Sequence, residues 1–337
     1  LAAGTVVAVL AAVWWMPSEY ALAQRVAAAA TEQLGVPVRV GRLHWQLFPT
    51  PRVDLEDVAT DQPQPLQLRR LSAFPRLAPL LRGRVALERL ELEGAVVFQA
   101  SLRGLGPKKQ SVVPVSSMAP TAPLPVRGLD AVPVAQVMLR DVQWVSRTGI
   151  AVAFDGELDF DPLWRPRRAE LRRPGFLPAT SLTALRHRGE DRWRMDILLG
   201  GGTVNGEVAL QTAVDGGLHL SGQLLPKGVE VQAAMASFNR RSPVAGEASG
   251  QTRVSAQGHS VAGLAQSLHT VTTFTMAPAS LVRLDVAKAV RTRGADATGT
   301  TPIDTLSGQL DTQNSAEGMA SRFTPLKARS GLLSAAG

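Results

Sequence analysis

From Gly35 to Phe98 apolar and polar side chains alternate at a period of two, and nothing else in the chain limits its possible folds so sharply. Val36, Val38 and Val40 alternate with Pro37 and Arg39, and Val53 and Leu55 alternate with Arg52 and Asp54. After a break at Gly83 the pattern returns in Val85 and Leu87, then in Leu90 and Leu92. Residues two apart share one face of a strand, so each segment reads as a half-buried strand with one apolar and one hydrated face. The texture resumes with Val137, Leu139, Val142 and Trp144, turns at Thr148-Gly149, and continues in Ile150, Val152 and Phe154. Trp193, Met195, Ile197 and Leu199 then alternate with Arg192, Arg194, Asp196 and Leu198. Val208, Leu210, Leu218, Leu220, Leu224 and Val229 carry the meander on, with hairpin signals at Asn205-Gly206 and Asp215-Gly216.

Ahead of the strands, Leu1 to Met16 carries no charge, and a spanning helix needs roughly 20 apolar residues. We read residues 1–17 as a transmembrane anchor, with Trp14, Trp15 and Tyr20 where an interfacial aromatic belt would lie. A cleaved signal peptide ending at Ala21-Leu22-Ala23 is the rival reading. Ser18 is placed to cap a helix that Gly35 ends, with Leu22, Val26, Ala29, Ala30 and Leu34 on its packing face. Residues 104–133 are rich in Pro and Ser and read as a linker or loop. The expected organisation is therefore an anchor (1–17), a helix and β region (18–103), the linker (104–133), a β-meander (134–245) and a C-terminal β region with short helices (246–337).

Composition removes several functions. Of the 337 residues 45% are hydrophobic, enough for a core, while the aromatic share of 5% with one Tyr argues against stacking platforms for nucleic acid. No Cys is present, so disulfides and thiolate chemistry are absent. The five His never fall at metal-ligand spacing, and Gly200 to Gly202 lead into a strand rather than a helix, which no phosphate-cradling loop does. Gly258-His259-Ser260 approaches a nucleophile elbow, but Ser260 is better read as a helix N-cap. We expect no enzyme, cofactor or metal. The net charge of +8 comes from 31 Arg against 5 Lys scattered along strands, first a coding bias and second an affinity for anionic headgroups. Its densest cluster is Arg165, Arg167, Arg168, Arg172 and Arg173. Pro166 and Pro174 are expected to keep these residues out of any helix or central strand, in a solvated loop or against anions.

The order of elements carries more than any single residue. An amphipathic helix ends at Gly35; Val38, Gly41 and Leu43 lead to Trp45, Phe48 and Pro49; Leu55 and Val58 follow; then Leu80, Leu81 and Gly83 precede Val85, Leu87, Leu90, Leu92 and Gly94. In this the chain resembles the AsmA family of bacterial envelope proteins. The end is similar to that family's C-terminal region through Gly250, Ala256, Gly258, Ser260, Leu264, Leu268, Leu281, Leu284 and Asp285, then Leu306, Gly308, Leu310, Gly318, Phe323, Leu326 and Gly331. His269-Thr270 departs from it where a Gly is expected, and the middle agrees only in texture.

The resemblance implies a mainly β fold: a long curved antiparallel sheet forming an apolar-lined groove, with an N-terminal transmembrane helix and a few short helices. It implies a single-pass inner-membrane protein, mostly periplasmic, that moves phospholipid between envelope membranes and serves outer-membrane biogenesis, with outer-membrane assembly proteins as further partners and no nucleic acid. Alternation then assigns Val85, Leu87, Leu90, Leu92, Met195, Ile197, Val208 and Leu220 to the groove, and Arg165, Arg167, Arg168, Arg172 and Arg173 to headgroups. The alternative is a scaffold or chaperone-like module that affects outer-membrane protein assembly without carrying lipid.

Overall fold

The computed structural model describes residues 18–76, 79, 86–101, 134–162, 165–315, 318–331 and 333–337. The expected anchor, the linker over 104–133 and Val85 lie outside them. Among the described residues, strand makes the bulk of the chain, and no helix is long and apolar enough to cross a membrane.

Eighteen strands form one sheet. They are β1 (Val38–Gln46), β2 (Arg52–Thr60), β3 (Gln67–Pro75), β4 (Leu87–Phe98), β5 (Val134–Val145), β6 (Ala151–Phe160), β7 (Pro166–Arg172), β8 (Ser181–Arg186), β9 (Arg192–Leu199), β10 (Gly202–Thr212), β11 (Leu218–Lys227), β12 (Val229–Glu230), β13 (Val244–Gly258), β14 (His269–Val282), β15 (Thr300–Ile303), β16 (Thr305–Ser315), β17 (Gly318–Ser330) and β18 (Leu333–Ala336). Each strand from β1 to β11 pairs with the next. Then β13 takes both β11 and β12, β14 takes both β15 and β16, and β17 and β18 close the series. All pairs are antiparallel except β4 with β5, which run parallel. That exception corrects the wholly antiparallel expectation. A parallel pair needs a crossover of a dozen residues or more, and the stretch between β4 and β5 has the length for one.

Among the described residues four helices of a turn or more flank the sheet: α1 (Glu19–Leu34), α2 (Val231–Ser237), α3 (Val261–Gln266) and α4 (Val286–Arg291). Their starts follow the expected capping chemistry. Ser18 accepts from the Ala21 N–H at 3.3 Å, and Gly35 ends α1 at φ 72°. Ser260 accepts from Gly263 N and Asp285 from Lys288 N, so Ser260 is a cap. The only His downstream of it, His269, instead contacts Asp311 at 2.9 Å.

Two local expectations fail. Asn205-Gly206 is no turn: both residues sit inside β10, and the turn before it is made by Gly200 and Gly201, at φ 55° and 79°. Gly206 serves a different need, because a Cβ there would come within 2.0 Å of the Gln223 carbonyl oxygen on β11. Likewise, Arg167, Arg168 and Arg172 lie within β7, a strand paired on both sides. Pro166 opens that strand and Pro174 falls beyond its end, so neither interrupts its ladder, and the expected loop is a central strand. The Asp215-Gly216 and Thr148-Gly149 turns do form, with Gly216 and Gly149 each at φ 80°.

Burial is thin. Met276, Ala279, Ile303 and Leu306 make one small buried cluster, and Val204, Val229 and Ala234 make another beneath α2. Truncating Met276 to Ala is expected to cost about 2–5 kcal/mol. Gly206→Ala should cost about 1–3 kcal/mol, and Leu225→Ala, on an exposed side chain, within about 0.5 kcal/mol. Denaturant midpoints of the three variants check the ranking.

Candidate functional site: the inward face of the sheet

Partners directly opposite in a sheet share a face, so the strand registers can be followed across the whole sheet. Leu43, Leu55, Leu71, Leu92, Leu139, Gly156, Leu171, Leu182, Ile197, Val204 and Pro226 stand opposite one another in succession from β1 to β11. Two residues along, a second row runs Trp45, Val53, Ala73, Leu90, Val137, Leu158, Ala169, Ala184, Met195, Gly206 and Leu224. It continues through Thr252 and Thr272 to Leu310 and Phe323 on β17. No charged residue interrupts either row. The row between them, on the other face, reads His44, Asp54, Ser72, Glu91, Met138, Glu157, Glu170, Thr183, Asp196, Asn205 and Leu225.

Exposure along β11 says which face turns inward there, although toward β1 the other row also holds buried residues, Asp54 and Ser72. Along β11 the residues Leu218, Leu220, Gly222, Leu224 and Pro226 are half-buried, while His219, Ser221, Gln223, Leu225 and Lys227 are exposed. A cavity of about 870 Å³ is lined by Trp144 of β5 together with Thr270, Thr312 and Ser321 of β14, β16 and β17. Strands that far apart in the sheet line one space because the sheet curls with the apolar face inside. Among the described residues no second layer covers that face along its length. Helix α1 packs on β1, α2 on β9, β12 and β13, α3 on β11, β13 and β16, and α4 on β15.

Of the residues assigned to the groove by alternation, Leu90, Leu92, Met195 and Ile197 lie in the two rows. Val208 stands opposite Trp193 and Gly222, and Leu220 opposite Leu210 and Ala256, on the same face. Leu87 lies beyond a register shift, opposite Pro75 and Val134, so alternation does not carry it into these rows. Arg194 and Asp196 belong to the outward face, where they pair with each other at 3.2 Å. Leu43, Leu55, Leu139, Leu171, Leu182 and Val204 were missed, although the same period-2 signal runs through their strands. What the sequence lacked was the register that stacks them.

Where β8 meets β9, at Arg186 and Trp193, a group of charges is linked. Arg186 reaches Asp161 at 2.5 Å and bonds to Asp191, and its guanidinium lies 5.8 Å from the Trp193 ring centroid. Arg165 reaches Asp191 at 3.3 Å, and the Trp193 indole N–H donates to the Pro166 carbonyl at 2.7 Å. This changes the outlook for the expected headgroup cluster. Besides Arg165, Arg168 pairs with Glu170 at 2.9 Å and Arg172 with Asp155 at 3.9 Å. Arg173 donates to Asn239 at 2.9 Å and stacks on Phe176, with burial lowering its pKa. Among the described residues Arg167 alone of the five makes no such contact.

Comparison with protein-family models, with curated proteins and with solved structures finds no match for the chain.

Arg186→Met removes the cation shared by Asp161 and Asp191. Because these side chains keep some contact with water, the expected loss is about 1–3 kcal/mol, below that of a fully buried pair. A melting series with Arg194→Met, whose outward pair should be worth under about 1 kcal/mol, checks the contrast.

Proposed function

We propose that this chain is an AsmA-like envelope protein, anchored in the inner membrane with its sheet in the periplasm, which carries phospholipid acyl chains along the inward face of that sheet in transfer between envelope membranes and in outer-membrane biogenesis. The observation that carries this reading is the pair of uncharged rows running across the strands, with no covering layer among the described residues. Water against such a surface is unfavourable by roughly 25 cal/mol for each Å² of apolar area, and an acyl chain lying along the rows removes that contact. Outward Arg, Asp and Glu meanwhile keep the other face hydrated, so one sheet presents a lipid-like interior and an aqueous exterior.

A photo-crosslinking side chain at Met195 or Ile197 is expected to capture phospholipid in cells, and one at Arg194 or Asp196 is not. Equal capture on both faces would mean non-specific membrane contact. Purified full chain, extracted and analysed by mass spectrometry, should yield bound phospholipid; a lipid-free preparation would return the protein to a scaffold role in outer-membrane protein assembly. For topology, a reporter active only in the periplasm, fused after Gly202, should be active, and an active cytoplasmic reporter at the same site would sink the proposal.

A further inference from the structure

Although the strand richest in arginine spends most of its charge on carboxylates, a different set of guanidiniums converges with no counter-charge. The loop that follows α2 carries Arg240 and Arg241, and the Val282 N–H donates to the Pro243 carbonyl at 2.8 Å, which holds the end of β14 beside that loop. Arg283 follows at once. Arg240, Arg241 and Arg283 line one cavity of about 810 Å³, with Gln232 and Ser242 as its polar neighbours and neither Asp nor Glu among its lining residues. Glu247, the acid nearest in sequence to Arg241, is not among the residues that line it, and two other acids close by in sequence hold backbone N–H groups. Glu230 accepts from the N–H groups of Gln232, Ala233 and Gly246, and Asp285 accepts from Lys288 N. Among the described residues none of the three arginines has a carboxylate partner.

The loop is held in place. The Asn239 amide donates to the Ala151 carbonyl at 2.6 Å and accepts from Arg173 at 2.9 Å, while Arg240 N donates to the Met235 carbonyl at 2.9 Å. Arg283 sits at φ 70°, a backbone conformation that disfavours any residue with a Cβ. Like charges gathered in one cavity repel, and strain of this kind persists where the surroundings impose it. Arg240 also lines the 870 Å³ cavity on the inward face, whose walls include Trp144 and Met319, the latter 60% exposed.

From this we infer that the loop after α2, with Arg283, is a binding site for the phosphate headgroup of an anionic lipid whose acyl chains lie on the inward face beside Trp144 and Met319. Guanidinium groups bind phosphate through bidentate, charge-assisted hydrogen bonds, and the shared position of Arg240 links the basic cavity to the apolar one. The inference rests on the lipid-carrying function proposed above and adds to it a preference for negative charge at a stated place.

The test uses the purified full chain in an amphipathic polymer. Phosphatidate with a fluorescent acyl chain is titrated against diacylglycerol bearing the same chains, and inorganic phosphate is measured separately. The wild type should bind phosphatidate roughly 10-fold or more tighter than diacylglycerol, an effect of several charge-assisted contacts. In the Arg240→Gln/Arg241→Gln/Arg283→Gly variant that preference should vanish, the ratio of the two lipid affinities being the readout. Gly adopts φ 70° without strain, so this variant keeps the local backbone, and an unshifted melting curve confirms its fold. A preference that survives in the variant, or equal affinities in the wild type, overturns the headgroup site and leaves the groove intact. Inorganic phosphate binding as tightly as phosphatidate overturns the lipid assignment in favour of free phosphate. Failure of both lipids to bind the wild type overturns the carrier function itself, and this site with it.

Discussion

A single-layer sheet with one apolar face has nothing of its own to bury that face against, and most of this structure follows from that. In a sandwich or an α/β fold a second layer removes the face from water. Here the described helices cover only parts of the sheet, and many apolar side chains of its inward rows, Leu71, Leu92, Leu139 and Ile197 among them, remain half-buried, although Leu43, Leu55, Ala184 and Val204 are buried. A fully buried Leu or Ile is worth about 1.5–3 kcal/mol, so each half-covered one forgoes on the order of 1 kcal/mol. Over two rows the sum approaches the 5–15 kcal/mol by which an ordinary domain is stable at all. Such a deficit favours any apolar chain that fits, which is why the surface bears on function.

Curling reduces the same deficit, and the sequence has specific means to allow it. Register shifts interrupt the ladders between Phe74 and Pro75, Leu139 and Val142, Asp159 and Phe160, Gly246 and Ala248, and Gly308 and Leu310. Each extra residue bends its strand and increases local twist. On the inward face Phe274 stands between Gly250 on one side and Gly308 on the other. A Cβ at Gly250 would lie 1.9 Å from the Thr273 carbonyl oxygen, so the close approach of these strands needs that glycine, while on the other side the Phe274 ring lies over Gly308, its Cζ 3.3 Å from where a Cβ would stand. The Phe323 ring then meets Phe274 edge-on at 6.3 Å. Curvature and covering are thus solved together, by small residues next to an aromatic one.

How much of this was legible depended on whether the signal was local. Period-2 alternation located Met195, Ile197, Val208 and Leu220 on one face because facing is a property of one strand. Ser18 and Ser260 were readable as caps for the same reason. Asn205-Gly206 misled because its composition suits a turn equally well, and only the neighbouring strand, with the Gln223 carbonyl at its back, shows why a glycine stands there. Pro166 and Pro174 misled similarly: their spacing is compatible with a broken segment or with a strand that starts at one and ends before the other. Arg240 and Arg241 were visible as a pair, but their convergence with Arg283 depends on how β14 ends beside the α2 loop.

The same distinction decides where positive charge can act. Counting arginines along the sequence points to β7 and its flanks, because five fall close together there, three of them in the strand itself. Yet a strand directs successive side chains to opposite faces, and its cross-strand neighbours are fixed, so Arg168 and Arg172 meet Glu170 and Asp155 before they meet anything from outside. An arginine paired in this way has much of its attraction for a further anion cancelled. Loops obey no such alternation: the turn after α2 and the left-handed backbone at Arg283 bring guanidiniums together from separate segments without bringing acids along. Density in sequence therefore marks charge that the sheet neutralises, while the charge left free to attract an anion lies where irregular backbone gathers it.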